Sequence, residues 1–227
     1  MVRIGSELTQ RIIINKWVSF QDDLGILSSI SQFKDLKDIP DFQKVNNIPV
    51  LGYVYVDHDA GISLKVEGLC LLERVPESEM ETISRFIRDS VSLKFRFDVI
   101  RLLDLHSLDE NERNILSLPV SPDWLQFYES PELNVVRNNE SLDRCRAEGF
   151  FDDVFAIIPS KGILNDEEAG NTPEIVWVRL ESYSDRDDVF KGILLNQPNQ
   201  GSGLNKNDDV MLFPLKFNGE MMLQVGK

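Results

Sequence analysis

Residues 174–195 read EIVWVRLESYSDRDDVFKGILL, and this stretch decides the fold expected for the C-terminal part of the chain. Residues 175–180 and 189–195 are rich in β-branched and aromatic side chains, a composition that is typical of strands. The short acidic segment between them, residues 185–188, ends one strand before the next begins. The stretch therefore predicts two antiparallel strands joined by a tight turn.

The remainder of the C-terminal part is also predicted to be mostly β. Further strands are expected at 153–158 and 209–217, where apolar residues are bounded by proline or by a loop rich in Gly and Asn. One helix is expected at 141–148, with Gly149 in the left-handed position that often follows a helix. Residues 136–227 are thus expected to form a smaller, mostly antiparallel β domain with one helix.

The N-terminal part, residues 1–135, is expected to be an α+β domain with antiparallel strands, so the fold class of the whole chain is α+β. Two apolar runs, at 50–56 and 62–66, flank a connection rich in Asp and Gly, and this pattern predicts a β-hairpin. Apolar residues at helical spacing behind a proline predict a helix over 77–89. Another short helix is predicted at 108–116, where acidic residues stand at the start.

The chain is strongly acidic. Its 227 residues include 24 Lys and Arg against 38 Asp and Glu, which gives a formal net charge of -14. Binding to a nucleic-acid backbone requires clustered Lys and Arg, and so does binding to an anionic membrane surface. The composition therefore argues against both classes of partner. It suits a protein partner that carries a basic surface.

The sequence also indicates a cytoplasmic protein. Cys70 and Cys145 lie far apart and form no Cys-x-x-Cys pair, which favours two free thiols in a reducing compartment over one disulfide in a secreted chain. The N-terminal residues lack the continuous apolar core of a signal peptide. No apolar run approaches the roughly 20 residues that a membrane span needs.

The two histidines give no clear sign of catalysis. His58 lies in Asp57-His58-Asp59, where a solvated hairpin turn is favoured over a metal site because adjacent strand residues point to opposite faces. His106 is interpreted as a partly buried, hydrogen-bonded side chain. The sequence contains no nucleophile elbow, phosphate-binding loop or dinucleotide fingerprint. No catalytic residue, metal ligand or cofactor is therefore predicted.

Acidic clusters are the remaining candidates for a binding site. Their carboxylates could bind calcium or magnesium, but none has the spacing of an EF-hand loop. Solvated loops that limit association between sheet edges are the favoured interpretation. The clusters are Asp166-Glu167-Glu168, Asp185 with Asp187-Asp188, and Asp208-Asp209.

The C-terminal part resembles a group of small bacterial domains of uncharacterised function. Members of that group carry E-x-x-W-[VF], then G-x-L-x-N-x-P, then G-D-x-V, and the matching segments here are residues 174–178, 192–198 and 207–210. Asn207 stands in place of the usual glycine, and asparagine also tolerates a left-handed turn. Some members are classed with immunity proteins that neutralise polymorphic toxins, and longer members carry a variable α+β region before the domain. The resemblance implies a protein-binding role.

The residues that carry this resemblance are predicted to specify the fold. Trp177 is expected to anchor its strand in the core, and Gly192 to allow a bulge or a close approach between strands. Asn196 and Pro198 are expected to end the strand and begin a loop. A binding role for the loop 196–207 is the alternative.

Two functions from different classes follow. The first is a non-catalytic module that binds a basic protein, such as a toxin, through acidic loops. The alternative is a hydrolase or small-ligand-binding protein with a site between the two domains, where the two histidines and the acidic residues would supply the titratable groups. The residues predicted to contact a basic partner are Asp166, Glu167, Glu168, Asp187 and Asp188.

Overall fold

The computed structural model describes residues 11–21, 49–72, 84–88, 93–159, 173–199, 202–217 and 220–226. The chain divides into two compact units, Met1–Leu125 and Gln126–Lys227. The boundary expected at 135/136 falls inside a helix, Pro131–Asn138, that packs on strands of the second unit. Both strands and helices are present and nearly all strand pairs are antiparallel, so the α+β class is confirmed.

The first unit is built on a six-stranded antiparallel sheet. Its strands are β1 (Lys16–Phe20), β2 (Val50–Asp57), β3 (Gly61–Leu72), β4 (Ser84–Arg88), β5 (Lys94–Arg96) and β6 (His106–Ser107). They lie in the order β4-β3-β2-β1-β6, and β5 shares with β4 the outer edge of β3. Two short helices belong to this unit: α1 (Phe97–Ile100) lies between β5 and β6, and α2 (Glu110–Ile115) follows β6.

The hairpin predicted in this unit is confirmed. Strands β2 and β3 pair antiparallel, with Val54 opposite Leu64 and Asp57 opposite Gly61. Gly61 has a φ of 74°, a left-handed conformation that closes the turn without strain at a Cβ atom. The Asp57 carboxylate accepts a hydrogen bond from the Asp59 amide at 3.2 Å. The other carboxylate oxygen of Asp57 accepts a hydrogen bond from Arg96 of β5 at 3.1 Å, so the turn is held both by its own backbone and by a neighbouring strand.

Trp124 covers one face of this hairpin, from a 3-10 helix at Asp123–Phe127. Its indole Nε1 donates to Glu67 Oε1 at 2.7 Å, and its ring meets that of Tyr55 edge-on with centroids 4.9 Å apart. Lys65 Nζ lies 3.1 Å from the same carboxylate oxygen and 4.3 Å from the centroid of the indole ring. The buried Glu67 charge is thus both paired and hydrogen-bonded, as burial of a charge requires.

The helix predicted over 77–89 is wrong at residues 84–88, which form β4. This strand pairs with the far end of β3, where Ile87 lies opposite Leu69 and Phe86 lies opposite Cys70. A run of about five apolar and polar residues fits either a helical or a strand period, so the pairing partner decides. The rest of the predicted helix lies outside the described residues.

The short helix predicted at 108–116 is confirmed as α2. Asp109 Oδ1 accepts a hydrogen bond from the Glu112 amide at 2.8 Å, and Glu112 Oε2 accepts one from the Asp109 amide at 2.9 Å. This reciprocal capping box satisfies amides that the first turn of a helix leaves without partners. The acidic start of the segment is therefore explained by local structure.

The second unit contains a closed barrel. Its elements are α3 (Pro131–Asn138), a 3-10 helix (Glu140–Cys145), β7 (Arg146–Ala147), β8 (Phe150–Ile158), β9 (Glu174–Ser184), β10 (Val189–Leu194), β11 (Asp209–Phe217) and β12 (Glu220–Gly226). Strands β8 to β12 pair in chain order, and β12 returns to β8 in parallel with Gln224 opposite Ile157. An odd number of strands, each antiparallel to the one before, must close with one parallel pair.

The strands predicted at 153–158, 175–180, 189–195 and 209–217 are confirmed within β8 to β11. Alternate side chains of the strands point into the barrel and, together with one residue of α3 and two of the 3-10 helix, form one apolar core. The buried members of this core are Val136, Leu142, Cys145, Val154, Ala156, Ile158, Val176, Val178, Leu180, Phe190, Leu194, Val210, Leu212, Leu223 and Val225.

The helix predicted at 141–148 is wrong. The chain forms the 3-10 helix and β7 there, and Gly149, with a φ of 78°, lies in the turn between β7 and β8. The Arg146 guanidinium donates to the carbonyls of Val136 and Phe151, which holds the segment against β8 and stops a helix. Among the described residues of this unit, an α-helix forms instead at α3, which is capped by Ser130, whose Oγ accepts from the Leu133 amide at 3.1 Å.

A buried ion pair joins α3 to the barrel. The Arg137 guanidinium donates to both carboxylate oxygens of Asp152 on β8, at 2.9 and 2.7 Å. Arg137 is 8% exposed and Asp152 is 2% exposed. The guanidinium also donates to the Tyr128 carbonyl at 2.9 Å. Both charges are therefore satisfied by hydrogen bonds, which a pair at this depth requires.

Arg137→Met should lower the free energy of unfolding by about 3–5 kcal/mol, because it leaves the Asp152 charge buried without its partner. Urea denaturation followed by far-UV circular dichroism measures the change. The double variant Arg137→Met/Asp152→Leu should recover most of the loss, since neither buried charge remains. A single variant as stable as the exposed control Arg186→Met would contradict this assignment.

Candidate functional site

The exposed turn at residues 185–188 joins β9 to β10 and presents ordered negative charge. Ser184 Oγ donates to Asp187 Oδ2 at 3.0 Å, and Tyr183 Oη donates to Asp188 Oδ1 at 2.9 Å. Asp188 has a φ of 51°, a left-handed conformation that Asp and Asn adopt more readily than most residues. The turn therefore holds two carboxylates, both exposed, in defined positions.

Tyr183 connects this turn to the barrel core. Its ring packs on the buried Phe190, with centroids 4.5 Å apart. The hydrogen bond to Asp188, partial desolvation, and the nearby carboxylates of Asp188 and Asp185 raise the pKa of Tyr183 above its ordinary value. The phenol thus stays protonated and remains a donor to Asp188 at neutral pH.

The structure describes only part of the other predicted acidic clusters. Asp166, Glu167 and Glu168 lie outside the described residues. Asp208 Oδ2 accepts a hydrogen bond from the Asn205 amide at 2.7 Å, so this carboxylate stabilises the loop between β10 and β11. Of the acids predicted to bind a partner, the structure describes only the pair in the β9–β10 turn.

Gly192 lies where two strands approach too closely for a side chain. A Cβ atom there would lie 2.2 Å from the Arg179 carbonyl oxygen and 2.8 Å from Val178 Cγ1. The register between β9 and β10 also shifts between Lys191 and Gly192. The bulge and the close approach predicted for this glycine are therefore both present.

Asn196 ends the pairing of β9 with β10. Its Oδ1 accepts a hydrogen bond from the Trp177 amide at 2.7 Å, and the Leu195 amide donates to the Trp177 carbonyl at 2.8 Å. The side chain thus takes the place of a strand partner at the point where β10 stops. The predicted role of Asn196 in ending the strand is confirmed.

The rest of the motif also stabilises this loop. Glu174 Oε1 accepts a hydrogen bond from the Asn199 amide at 2.7 Å, which ties the residue after the buried Pro198 to the start of β9. Asn207 has a φ of 72°, the left-handed conformation expected where the motif usually has glycine. Every part of the motif except the tryptophan side chain therefore has a role in the fold.

The prediction that Trp177 anchors the core is wrong. The side chain is 40% exposed and lies on the outer face of β9, while its neighbours Val176 and Val178 point into the barrel. Its ring meets that of Phe155 on β8 edge-on, with centroids 6.3 Å apart. Burial of the neighbours places this tryptophan on the solvent side because successive strand residues alternate between faces.

Trp177 belongs to a larger apolar surface, which we call the outer band. On β8 and β9, Phe155 lies opposite Trp177 and Ile157 lies opposite Ile175. The pairing of Ile157 with Gln224 carries this surface across the barrel closure to β12 and then to β11. The outer band comprises Phe155, Ile157, Ile175, Trp177, Phe213, Leu215 and Met222.

The two histidines lie in different settings. His58 is in the β2–β3 turn, as predicted. His106 is hydrogen-bonded as predicted, but it is exposed and not partly buried. Its Nε2 lies 3.0 Å from each carboxylate oxygen of Glu112, and Glu112 also caps α2. His106 therefore has a carboxylate partner, as a catalytic histidine would, but its described hydrogen bonds all go to that carboxylate and none reaches a nucleophile.

Both cysteines are free and buried. Burial and, to a lesser extent, the negative charge of Glu112 raise the pKa of Cys70 from 9.0 to about 12. Burial also raises the pKa of Cys145, although the charge of Arg146 acts in the opposite direction. A nucleophilic cysteine needs a lowered pKa and access to substrate, so neither thiol is suited to catalysis.

The described part of the chain offers no metal centre, since no three of its His, Cys, Asp or Glu side chains form a group that could hold an ion. The helices in the same ranges are also too short or too polar for any of them to cross a bilayer.

Gly192→Ala should destabilise the second unit by about 1–3 kcal/mol, because the new methyl group overlaps backbone as well as side-chain atoms. Urea denaturation measures the loss. The neighbouring exposed substitution Lys191→Ala should stay within about 0.5 kcal/mol of wild type. Equal free energies of unfolding for the two variants would contradict this prediction, because β9 and β10 would then be able to move apart without loss of stability.

Both thiols should resist Ellman's reagent at pH 8 in the folded protein and react at once in denaturant. With a pKa of about 12, only about one Cys70 side chain in ten thousand is a thiolate at that pH. The folded state binds this proton more tightly than the unfolded state, so the associated stability is full below pH 9 and declines as the pH rises towards 12. Rapid labelling of the folded protein would contradict the assignment.

Comparisons of the chain with protein-family models, with curated proteins and with solved structures found no match. The resemblance to toxin-immunity domains therefore stays a prediction made from the residues. A proposal of function has to rest on the geometry and charge of the described surface.

Proposed function

We propose that this protein is a non-catalytic, cytoplasmic protein-binding module that binds a basic protein through the acidic turn of its barrel. The observation that carries the proposal is the fixed position of the Asp187 and Asp188 carboxylates, each held by a hydroxyl group from β9. Ordered charges lose less conformational entropy on binding than charges on mobile side chains. Neutralisation of a toxin is the specific role that the sequence resemblance suggests.

The overall charge supports a basic partner. With a net charge of -14, the chain attracts a positively charged protein at long range and accelerates its association. The same charge opposes binding to nucleic acid or to an anionic membrane surface. The buried free thiols suit a reducing compartment, which supports the cytoplasm as the place of action.

The chemistry of the described residues favours binding over hydrolysis. The raised pKa of Cys70 keeps the thiol protonated, and the hydrogen bonds of His106 go to Glu112 alone. General-base activation of a nucleophile needs the base within hydrogen-bond reach of the attacking group. We therefore place the histidine–carboxylate pair in the structural framework of α2 and not in an active site.

The double variant Asp187→Asn/Asp188→Asn tests the proposal. Asparagine removes both charges, retains an oxygen that accepts the hydrogen bonds of Ser184 and Tyr183, and tolerates the left-handed backbone at position 188. Wild type and variant are used as bait in a lysate of the source organism at low salt, and a retained basic protein is then purified for titration calorimetry. We expect the variant to bind about ten-fold more weakly, with a smaller dependence on salt.

A matched control is Glu140→Gln/Glu148→Gln. It removes two exposed charges from the same unit, outside the β9–β10 turn. If the control and the turn variant weaken binding equally, general charge is responsible and the turn is not the contact. Retention of no basic protein by the wild type would contradict the proposed function.

A further inference from the structure

We propose that the outer band is a docking surface for an apolar segment of a basic protein partner, contacted by side chains and not by strand addition. This inference rests on the protein-binding function proposed above and adds a second contact to the acidic turn. It also gives a role to the one motif side chain, that of Trp177, which the fold does not explain.

The outer band is unusual because it occupies the side of the strands where polar residues are expected. Ile175 is 62% exposed, and Trp177, Phe213 and Leu215 are each about 40% exposed. A strand with one buried face normally alternates apolar and polar side chains, and contiguous exposed apolar surface on a soluble protein marks an interaction site. Exposed tryptophan is, in addition, a side chain that often dominates binding energy.

The barrel topology determines how a partner can bind here. Each of the strands β8 to β12 has a paired neighbour on both sides, because β12 closes on β8. A peptide cannot extend the sheet by strand addition where both edges of a strand are already occupied. Contact with the outer band must therefore be made by side chains that lie across the strands.

Strand β9 explains why the occupant should be basic. Its outward residues run from Ile175 and Trp177, through Arg179, which is paired with Asp153 at 2.8 Å, to the exposed Glu181 and then the acidic turn. At about 3.3 Å per residue, Trp177 and the start of the acidic turn at residue 185, eight residues further on, lie roughly 26 Å apart. When a partner covers the outer band, the part of the partner that extends along β9 therefore lies over the negative charge of Glu181 and the acidic turn.

The same charges argue against a second copy of this chain as the occupant. Two copies that met through the outer band would bring two acidic turns and two net charges of -14 together. Repulsion of this kind disfavours self-association and favours a partner of opposite charge. Charge complementarity thus selects a basic protein.

The probe is a designed 20-residue amphipathic helix of Lys and Leu, compared with a Lys/Ser peptide of equal charge. The indole Nε1–H resonances of the three tryptophans are followed by NMR, and the signal of Trp177 is the one absent from Trp177→Gln. We expect the Lys/Leu peptide to shift the Trp177 signal selectively, since Trp17 and Trp124 donate to Pro119 and Glu67 within the first unit. The Lys/Ser peptide should shift it little.

The variant Ile175→Gln/Trp177→Gln should bind the Lys/Leu peptide at least about ten-fold more weakly by titration calorimetry, as loss of a tryptophan contact commonly does. The matched control Phe127→Gln/Val135→Gln removes two other exposed apolar side chains of the second unit and should bind like the wild type. Thermal denaturation of each variant confirms that the fold persists.

Wild-type affinity of Ile175→Gln/Trp177→Gln would overturn the docking surface. A wild-type dimer in light scattering that this variant converts to a monomer would also overturn it, because the occupant would then be a second copy. Unchanged binding by Asp187→Asn/Asp188→Asn would instead contradict the acidic contact of the proposed function. In that event, a ten-fold weaker binding of the Lys/Leu peptide by Ile175→Gln/Trp177→Gln would still support the docking surface.

Discussion

Strands β8 and β12 pair in parallel at Ile157 and Gln224, and the second unit depends on this closure. It gives each inward-facing strand residue a neighbour on both sides and so encloses the apolar core. It also joins the outward residues of four strands into one continuous surface, the outer band. An open sheet of the same strands would leave two free edges, which soluble proteins must cover or charge.

Two further contacts keep the closed barrel in register. Gly192 allows β9 and β10 to approach at the bulge, where any larger residue would overlap the Arg179 carbonyl. The buried pair of Arg137 and Asp152 fixes α3 against β8, the strand on which the barrel closes. A buried ion pair of this kind is costly to break by removal of one partner, whereas replacement of both partners by apolar residues is often close to neutral.

Sequence patterns predicted the local structure well wherever a short-range signal was unambiguous. The turn residues between β2 and β3 and the acidic turn at 185–188 identified both hairpins, and the acidic residues at the start of α2 identified that helix. The pattern of apolar residues at 84–88 fits both a helix and a strand. The pairing of this segment with β3, which local sequence does not reveal, decides that it is a strand. Helix α3 was not predicted, although it begins at Pro131 and proline is favoured in a first helical turn.

The candidate site was predictable only in part. The motif correctly indicated Gly192 and Asn196 as residues that specify the fold, because their chemistry acts on the nearby backbone. The orientation of Trp177 was not predictable. The alternation of side chains along β9 shows that the strand has two faces, but closure of the barrel decides which face points into the core. The outer band could not be recognised either, because its residues come from four strands that are distant in sequence.

We propose that the acidic turn and the outer band bind one partner together, and a double-mutant cycle tests this most directly. The cycle combines Asp187→Asn/Asp188→Asn with Ile175→Gln/Trp177→Gln and measures the dissociation constant of the Lys/Leu peptide by calorimetry. Contacts that lie far apart contribute additively to the free energy of binding, so the fold-losses of the two pairs should multiply. A combined variant that binds no more weakly than one pair alone would contradict the account.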